Sequence, residues 1–265
     1  STAHLRVQPP TFSMAKTPSS ETESVSEEYI KNLPKAELHL HLEGSVTPAT
    51  LGDLSRKYQT QYASLSEEKL EIQLFHYRDF YQFLDTYRIV CAHLRKPEDY
   101  SMVLDRLGTY FRKQNIRYAE IIFTPSIPWR TGRDGREILV ALLEQSAKIG
   151  NQGTMIRWIL DCVRQFEAEW AWRTAELASE FSQQGVVGIG LGGDEKSLAM
   201  SDYQEVFAWI RAHQLNAHVH AGEIGDAQQV WDALKILGAK RIGHGIQAAR
   251  DPDLMDYLRQ HAIGL

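Results

Sequence analysis

Short apolar segments alternate with longer amphipathic segments along most of the chain, and this alternation limits the folds that the sequence can adopt. Apolar residues at three- and four-residue intervals predict helices, and short apolar runs between them predict buried strands. We predict six strands and the start of a seventh, at 38–42, 117–123, 155–161, 186–191, 217–220, 240–244 and 262–265. Apolar strands that alternate with helices are typical of a parallel sheet covered by helices.

Polar residues follow several of the predicted strands and help to choose between two α/β architectures. They are His39, His41, Glu120, Asp161, Gly193, Asp194, His220 and His244. A doubly wound sheet is possible, but a (β/α)8 TIM barrel gathers its active site from many strand ends and suits this pattern better. We therefore predict an α/β TIM barrel. Because the sequence stops where the seventh strand should begin, we expect the recorded chain to be a fragment that lacks the last two strands.

Domain organisation follows from a change in composition near residue 28. Residues 1–28 are polar and aperiodic, and we predict a disordered N-terminal tail or leader there. Residues 29–265 are predicted to form a single barrel domain that is incomplete at its C-terminal end.

Composition excludes several classes of function. The chain has 265 residues, a hydrophobic fraction of 43% and a net charge of −5, without a Lys/Arg cluster that would indicate a nucleic-acid surface. No apolar run approaches the ~20 residues of a membrane span. Cys91 and Cys162 lie far apart, which fits a reducing compartment and excludes a cysteine-based metal site built within this chain. These features predict a soluble cytoplasmic protein.

The segment Leu38–Leu42 alternates leucine with histidine. In a strand, residues two apart point to the same face, so His39 and His41 would share one face. Two imidazoles directed at one point suit a divalent metal of the zinc type. A half-buried strand that carries two histidines on its polar face is the alternative.

Three later motifs lie at predicted strand ends: His220-Ala221-Gly222-Glu223, Arg241-Ile242-Gly243-His244-Gly245 and Gly192-Gly193-Asp194-Glu195. Each alone is compatible with a turn or a capping carboxylate. Imidazoles at three strand ends of one barrel are hard to explain structurally. His218 is interpreted as a histidine that packs behind the others or in the core.

Together with Val186–Glu195, these motifs closely resemble the adenosine deaminase family of metal-dependent amidohydrolases, in the same order and from Leu33 to the last residue. The middle of the chain is most similar to the bacterial branch that includes aminodeoxyfutalosine deaminases. The resemblance implies one Zn²⁺ per chain, bound by His39, His41 and His220. It implies that Glu223 protonates purine N1 and that His244 orients and activates the attacking water.

The resemblance also implies a set of substrate contacts. Gly193 matches a glycine whose amide meets purine N3, and Phe80, Tyr81 and Leu84 lie on a helix that covers the pocket mouth, although a helix core explains them nearly as well. Glu43 stands where adenosine deaminases usually have an aspartate linked with the ribose hydroxyl. Adenine-specific relatives carry glutamate there. The family's Asn-Thr/Ser-Asp-Asp-Pro motif, which supplies a zinc-binding aspartate, has no match in this sequence.

We therefore expect zinc-dependent hydrolytic deamination of a 6-aminopurine nucleoside, adenosine or aminodeoxyfutalosine, to the 6-oxo product and ammonia. Three alternatives stay open: an adenine deaminase, a barrel hydrolase acting on another amide or ester, and a non-catalytic nucleoside-binding relative. Glu223 and His244 argue against the last, since binding alone does not require a proton-transfer pair. The expected partner is a small purine nucleoside, without nucleic acid or membrane, and the oligomeric state stays open.

Overall fold

The structure, a computed structural model, describes residues 26–265, so most of the tail predicted at 1–28 lies outside the described residues. The described residues divide into two units, 26–33 and 34–265. In the described part of the first unit, helix α1 spans Glu27–Asn32. The Ser26 hydroxyl caps it by accepting a hydrogen bond from the backbone N–H of Tyr29 at 3.1 Å.

The second unit contains one sheet of six parallel strands in sequential order. The strands are β1 (Lys35–His41), β2 (Ile116–Phe123), β3 (Met155–Val163), β4 (Val186–Gly192), β5 (Asn216–Ala221) and β6 (Arg241–His244). Each strand pairs with the next one along the chain, whereas a doubly wound sheet reverses its strand order partway. The sequential order therefore shows that the doubly wound alternative is wrong.

Helices connect the strands. They are α2 (Pro48–Tyr58), α3 (Glu67–Leu70), α4 (Phe80–His93), α5 (Pro97–Lys113), α6 (Ser126–Arg130), α7 (Gly135–Gly150), α8 (Ala168–Glu180), α9 (Gln204–Ala212), α10 (Ala227–Lys235) and α11 (Pro252–Gln260). Local sequence sets where several begin: the side chains of Thr47, Asp79 and Asp226 accept backbone N–H bonds at the starts of α2, α4 and α10. No helix among residues 26–265 has the length and apolarity to cross a membrane.

The sheet curls until its two outer strands come together, which makes a nearly closed barrel. Arg241 on β6 donates a hydrogen bond to the carbonyl of Leu38 on β1 at 3.3 Å and forms an ion pair with Glu120 on β2. Gly264 makes a parallel bridge to Arg241, at the position predicted for the start of a seventh strand. The predicted α/β barrel is therefore confirmed.

The core lies mainly between the sheet and the helices. Outward-facing strand residues such as Trp158 and Leu160 are fully buried with helix residues such as Leu142. The indole N–H of Trp158 donates to the hydroxyl of Ser146 on α7 at 3.0 Å. This packing fixes the strands, and with them the residues at their carboxyl ends.

Candidate active site

Three histidines from two strands that are not neighbours in the sheet meet at one end of the barrel. His39 and His41 lie on β1 and His220 lies on β5, and one ring nitrogen from each falls within 4.8 Å of the other two. The Nε2 atoms of His41 and His220 are 3.0 Å apart. The strand alternation predicted for His39 and His41 accounts for their shared direction. We call these residues the three-histidine cluster.

The donor set of the cluster fits a divalent metal of the zinc type. Two ligands on tetrahedral zinc, each at about 2.0–2.1 Å, are separated by about 3.3 Å, close to the His41–His220 spacing. Metal ligation needs neutral imidazole. Burial, together with His244 and Arg241, lowers the pKa of His39 to about 4. Burial, together with His39 and His244, lowers the pKa of His41 to about 3.

His220 completes the cluster from a more enclosed position, with 5% of its surface exposed. Burial, followed by the neighbouring histidines, lowers the pKa of His220 well below its usual range. Its backbone carbonyl accepts a hydrogen bond from Arg164 at 2.5 Å. His218, two residues earlier on β5, is buried beside His220 but does not belong to the cluster.

A carboxylate and an imidazole lie beside the cluster, with Glu223 Oε2 3.4 Å from His244 Nε2. Both side chains are just over a quarter exposed, so substrate and water can reach them. Burial raises the pKa of Glu223, His244 opposes the shift, and Glu195 adds to it. His244 has a φ of +69°, in the left-handed region that non-glycine residues rarely adopt. Such strain is typical of residues that a functional site holds in place.

Glu195 holds the loop that presents Glu223. Its carboxylate, 3% exposed, accepts backbone N–H bonds from Gly222 at 3.1 Å, Glu223 at 2.9 Å and Gly225 at 2.7 Å. The sequence showed Glu195 as part of a motif but did not indicate this role, because the bond crosses between two strand ends. Glu195 therefore fixes the backbone that carries Glu223.

A cavity of about 620 Å³ opens above the cluster. The predicted site residues that line it are His39, His41, Phe80, Leu84, Gly193, His220, Glu223 and His244. Gly193 has a φ of +93°, and a Cβ there would overlap the side-chain oxygen of Gln165. Apolar side chains form much of the wall, and Arg88, Arg130 and Arg133 also contribute to it.

Two predicted substrate contacts lie elsewhere. Glu43 is 1% exposed and lies outside the cavity lining, where it accepts hydrogen bonds from the Thr124 N–H at 3.1 Å and the Tyr87 hydroxyl at 3.2 Å. Burial raises the pKa of Glu43 to about 7 against those hydrogen bonds. Tyr81 is 51% exposed. The cavity-facing side of α4 carries Phe80, Leu84 and Tyr87 at helical spacing, and Tyr81 points away from it.

Two residues after β3 belong to the site region without having been predicted there. Gln165 lines the cavity, and Arg164 is fully buried beneath it. Both residues directly follow the carboxyl end of a strand, where the active sites of barrels form. This position is the one sequence feature that could have predicted them as site residues. Asp161, noted as a strand-end residue, also lines the cavity and is 3% exposed.

The barrel, the three-histidine cluster and the adjacent Glu–His pair place the chain among α/β-barrel proteins with a histidine-rich site at the strand ends. The model of the adenosine deaminase family matches residues 34–265, and the chain belongs to this family. An aminodeoxyfutalosine deaminase from Streptomyces coelicolor is 35% identical over 240 residues, which cover 89% of this chain and 62% of that protein. An adenine deaminase from Crocosphaera subtropica is 31% identical over 237 residues, covering 89% of this chain and 72% of that protein.

Solved structures agree on the fold. A crystal structure of an amidohydrolase from Burkholderia ambifaria with bound Zn has a TM-score of 0.81 at 22% identity, covering 92% of this chain and 67% of that one. The present chain spans 62% of the length of the Streptomyces coelicolor relative.

Proposed function

We propose that the protein is a hydrolytic deaminase of a 6-aminopurine nucleoside that converts it to the 6-oxo nucleoside and ammonia. The observation that carries this proposal is the convergence of the three-histidine cluster with Glu223 and His244 at the floor of one cavity. Membership of the adenosine deaminase family supports the reaction type.

Each group has a role that its position permits. Zinc held by the three-histidine cluster would supply Lewis-acid activation of the attacking water. His244 faces the cluster, with its ring 4.9 Å from that of His39, and takes a proton from the water as it attacks purine C6. Glu223 gives its proton to purine N1, which removes the negative charge that would otherwise build up on the ring. Its raised pKa favours the protonated form that this step needs. The amino group then takes the proton held by His244 and leaves C6 as ammonia, while the new hydroxyl returns a proton to Glu223 and becomes the 6-oxo group.

The cavity wall favours aminodeoxyfutalosine over adenosine as substrate. Aminodeoxyfutalosine is an adenosine analogue whose long 5′ substituent ends in a carboxylate, and the cavity has room beyond a nucleoside together with apolar and cationic residues. The Arg130 guanidinium packs over the Phe166 ring at 3.9 Å, and Arg130 and Phe166 both line the cavity. The relative from Streptomyces coelicolor is named for this substrate. Adenosine ranks second and free adenine third.

The non-catalytic alternative keeps the fold and a nucleoside but performs no turnover. Because the Glu223–His244 pair faces the cavity beside the cluster, the geometry favours the enzyme. The two buried, widely separated cysteine thiols support the proposed cytoplasmic location.

The experiment is an ultraviolet assay of the purified full-length protein with aminodeoxyfutalosine, adenosine and adenine, with zinc quantified on the same sample. We expect turnover of aminodeoxyfutalosine above adenosine and close to one zinc per chain. His41→Ala should lose zinc and activity. His213→Ala, which changes an exposed histidine just past the end of helix α9, should keep both. Zinc retained by wild type without turnover of any substrate would overturn the proposed activity.

A further inference from the structure

Asp161 on β3 and His220 on β5 face each other across β4, which carries glycine where side chains would intervene. A Cβ at Gly192 would lie 2.5 Å from Asp161 Oδ2 and 3.6 Å from His220 Nδ1. A Cβ at Gly190 would overlap Asp161 Oδ1. The carboxylate therefore occupies the space that two absent side chains leave, and the imidazole of His220 borders the same space.

Two polar atoms in this arrangement are buried without a hydrogen-bond partner among residues 26–265: Asp161 Oδ1 and His220 Nδ1. Other atoms of His220 have contacts. Its backbone carbonyl accepts from Arg164, and its Nε2 faces Nε2 of His41. A buried polar atom without a partner costs about 1–3 kcal/mol, so such atoms need an explanation. A hydrogen bond to Nδ1 is thus the remaining contact that could fix the orientation of the His220 ring.

A histidine that ligates a metal through one ring nitrogen almost always donates the other N–H to a carboxylate, carbonyl or water. This contact fixes the tautomer and the ring direction and increases the basicity of the ligand. We propose that Asp161 is a positioning residue for His220, accepting the Nδ1–H bond when Nε2 binds the metal. The inference rests on the metal site of the proposed function.

Zinc affinity of the full-length protein, measured by competition with a chromogenic chelator, tests this role. Asp161→Ala should bind zinc about 10–100-fold more weakly than wild type. Asp161→Asn, which can still accept through its amide oxygen, should lose less. Cys162→Ala, a buried neighbour on the opposite face of β3, should stay within about twofold of wild type, because Cys162 does not face His220.

Two further measurements separate positioning from general stability. The visible spectrum of the cobalt-substituted protein should change in Asp161→Ala and stay unchanged in Cys162→Ala, because it reports the ligand field at the metal. Gly192→Ala places a methyl group between the carboxylate and the imidazole, so it should weaken zinc binding while the carboxylate is still present. Metal-free thermal unfolding is measured in parallel for every variant.

The outcomes distinguish the inference from the function on which it rests. A wild-type protein that binds no zinc would overturn the metal site itself. A wild-type protein that binds zinc, together with Asp161 and Gly192 variants of equal affinity and an unchanged cobalt spectrum, would overturn the role of Asp161 alone. A rise in KM without a change in zinc affinity would show instead that Asp161 contacts the substrate.

Discussion

Replacing Glu195 by glutamine should weaken both folding and catalysis, because three backbone N–H groups converge on this one carboxylate. Oε2 accepts from Gly222 and Gly225, and Oε1 accepts from Glu223. The glutamine carbonyl can take the place of one oxygen, so at least one bond is lost and an amide N–H₂ group then faces a backbone N–H.

The size of the effect follows from these bonds. A hydrogen bond to a charged group contributes about 1.5–3 kcal/mol, and a buried donor left without a partner costs about 1–3 kcal/mol. We expect Glu195→Gln to destabilise the protein by about 2–4 kcal/mol, with a fall in Tm of about 2–4 °C for each kcal/mol. Because the loop carries Glu223, a displacement approaching 1 Å should reduce kcat by up to about 100-fold.

The pH profile provides a second readout with a defined sign. Burial and the negative charge of Glu195 both raise the pKa of Glu223, which acts in its protonated form in the proposed mechanism. Glu195→Gln removes that charge, so the pKa of Glu223 falls and the alkaline limb of kcat/KM moves to lower pH.

Asp194→Asn is the matched control. It removes the same charge from the same turn, but Asp194 accepts one backbone bond there, from Lys196 at 3.0 Å. The assays are thermal unfolding and steady-state kinetics from pH 5 to 9 on the zinc-loaded protein. A Glu195→Gln protein with wild-type Tm and kcat, or an Asp194→Asn protein with equal losses, would refute this reasoning.

Four further outcomes are expected. Glu223→Gln should lower kcat about 10²–10⁴-fold and leave the zinc content unchanged by metal analysis. His41→Ala should abolish the rise in Tm that zinc produces in wild type. The metal-free protein should lose stability as the pH falls from about 6.5 toward 4. Over this range the histidines of the unfolded state bind protons, whereas the buried histidines of the folded state, with pKa values of about 4 at His39 and about 3 at His41, do not. A free energy of unfolding, measured with denaturant, that stays constant over this pH range would contradict this prediction. Leu84→Ala should raise KM, whereas Tyr81→Ala should leave it unchanged, and equal effects in steady-state kinetics would contradict the placement of the two residues on α4.

Local patterns predicted the parts of the site that depend on one segment. Alternation along β1 is enough to place His39 and His41 on one face, and the family motifs identified the third histidine and the Glu223–His244 pair. The barrel was predictable because the strand–helix rhythm is itself a local signal. The sequential strand order of the structure agrees with that prediction.

Local sequence patterns could not predict contacts between segments that are distant in sequence. Glu195 reaches a loop about 28 residues away, and Glu43 pairs with Thr124 across 81 positions. The family resemblance predicted Glu43 as a substrate contact, but buried hydrogen bonds hold it away from the cavity. Tyr81 and its neighbour Phe80 are both aromatic, so the sequence does not distinguish them. Only the orientation of α4 about its axis determines which of the two faces the cavity.

The distance in sequence between the cluster members has a consequence for folding kinetics. His41 and His220 are separated by 179 positions, and three strands lie between β1 and β5, which carry them. Closing so long a loop is entropically costly, so we expect the cluster to form late in folding. Zinc should therefore slow unfolding while leaving the refolding rate nearly unchanged, because it binds after the rate-limiting transition state. The metal would therefore increase the kinetic stability of the closed barrel.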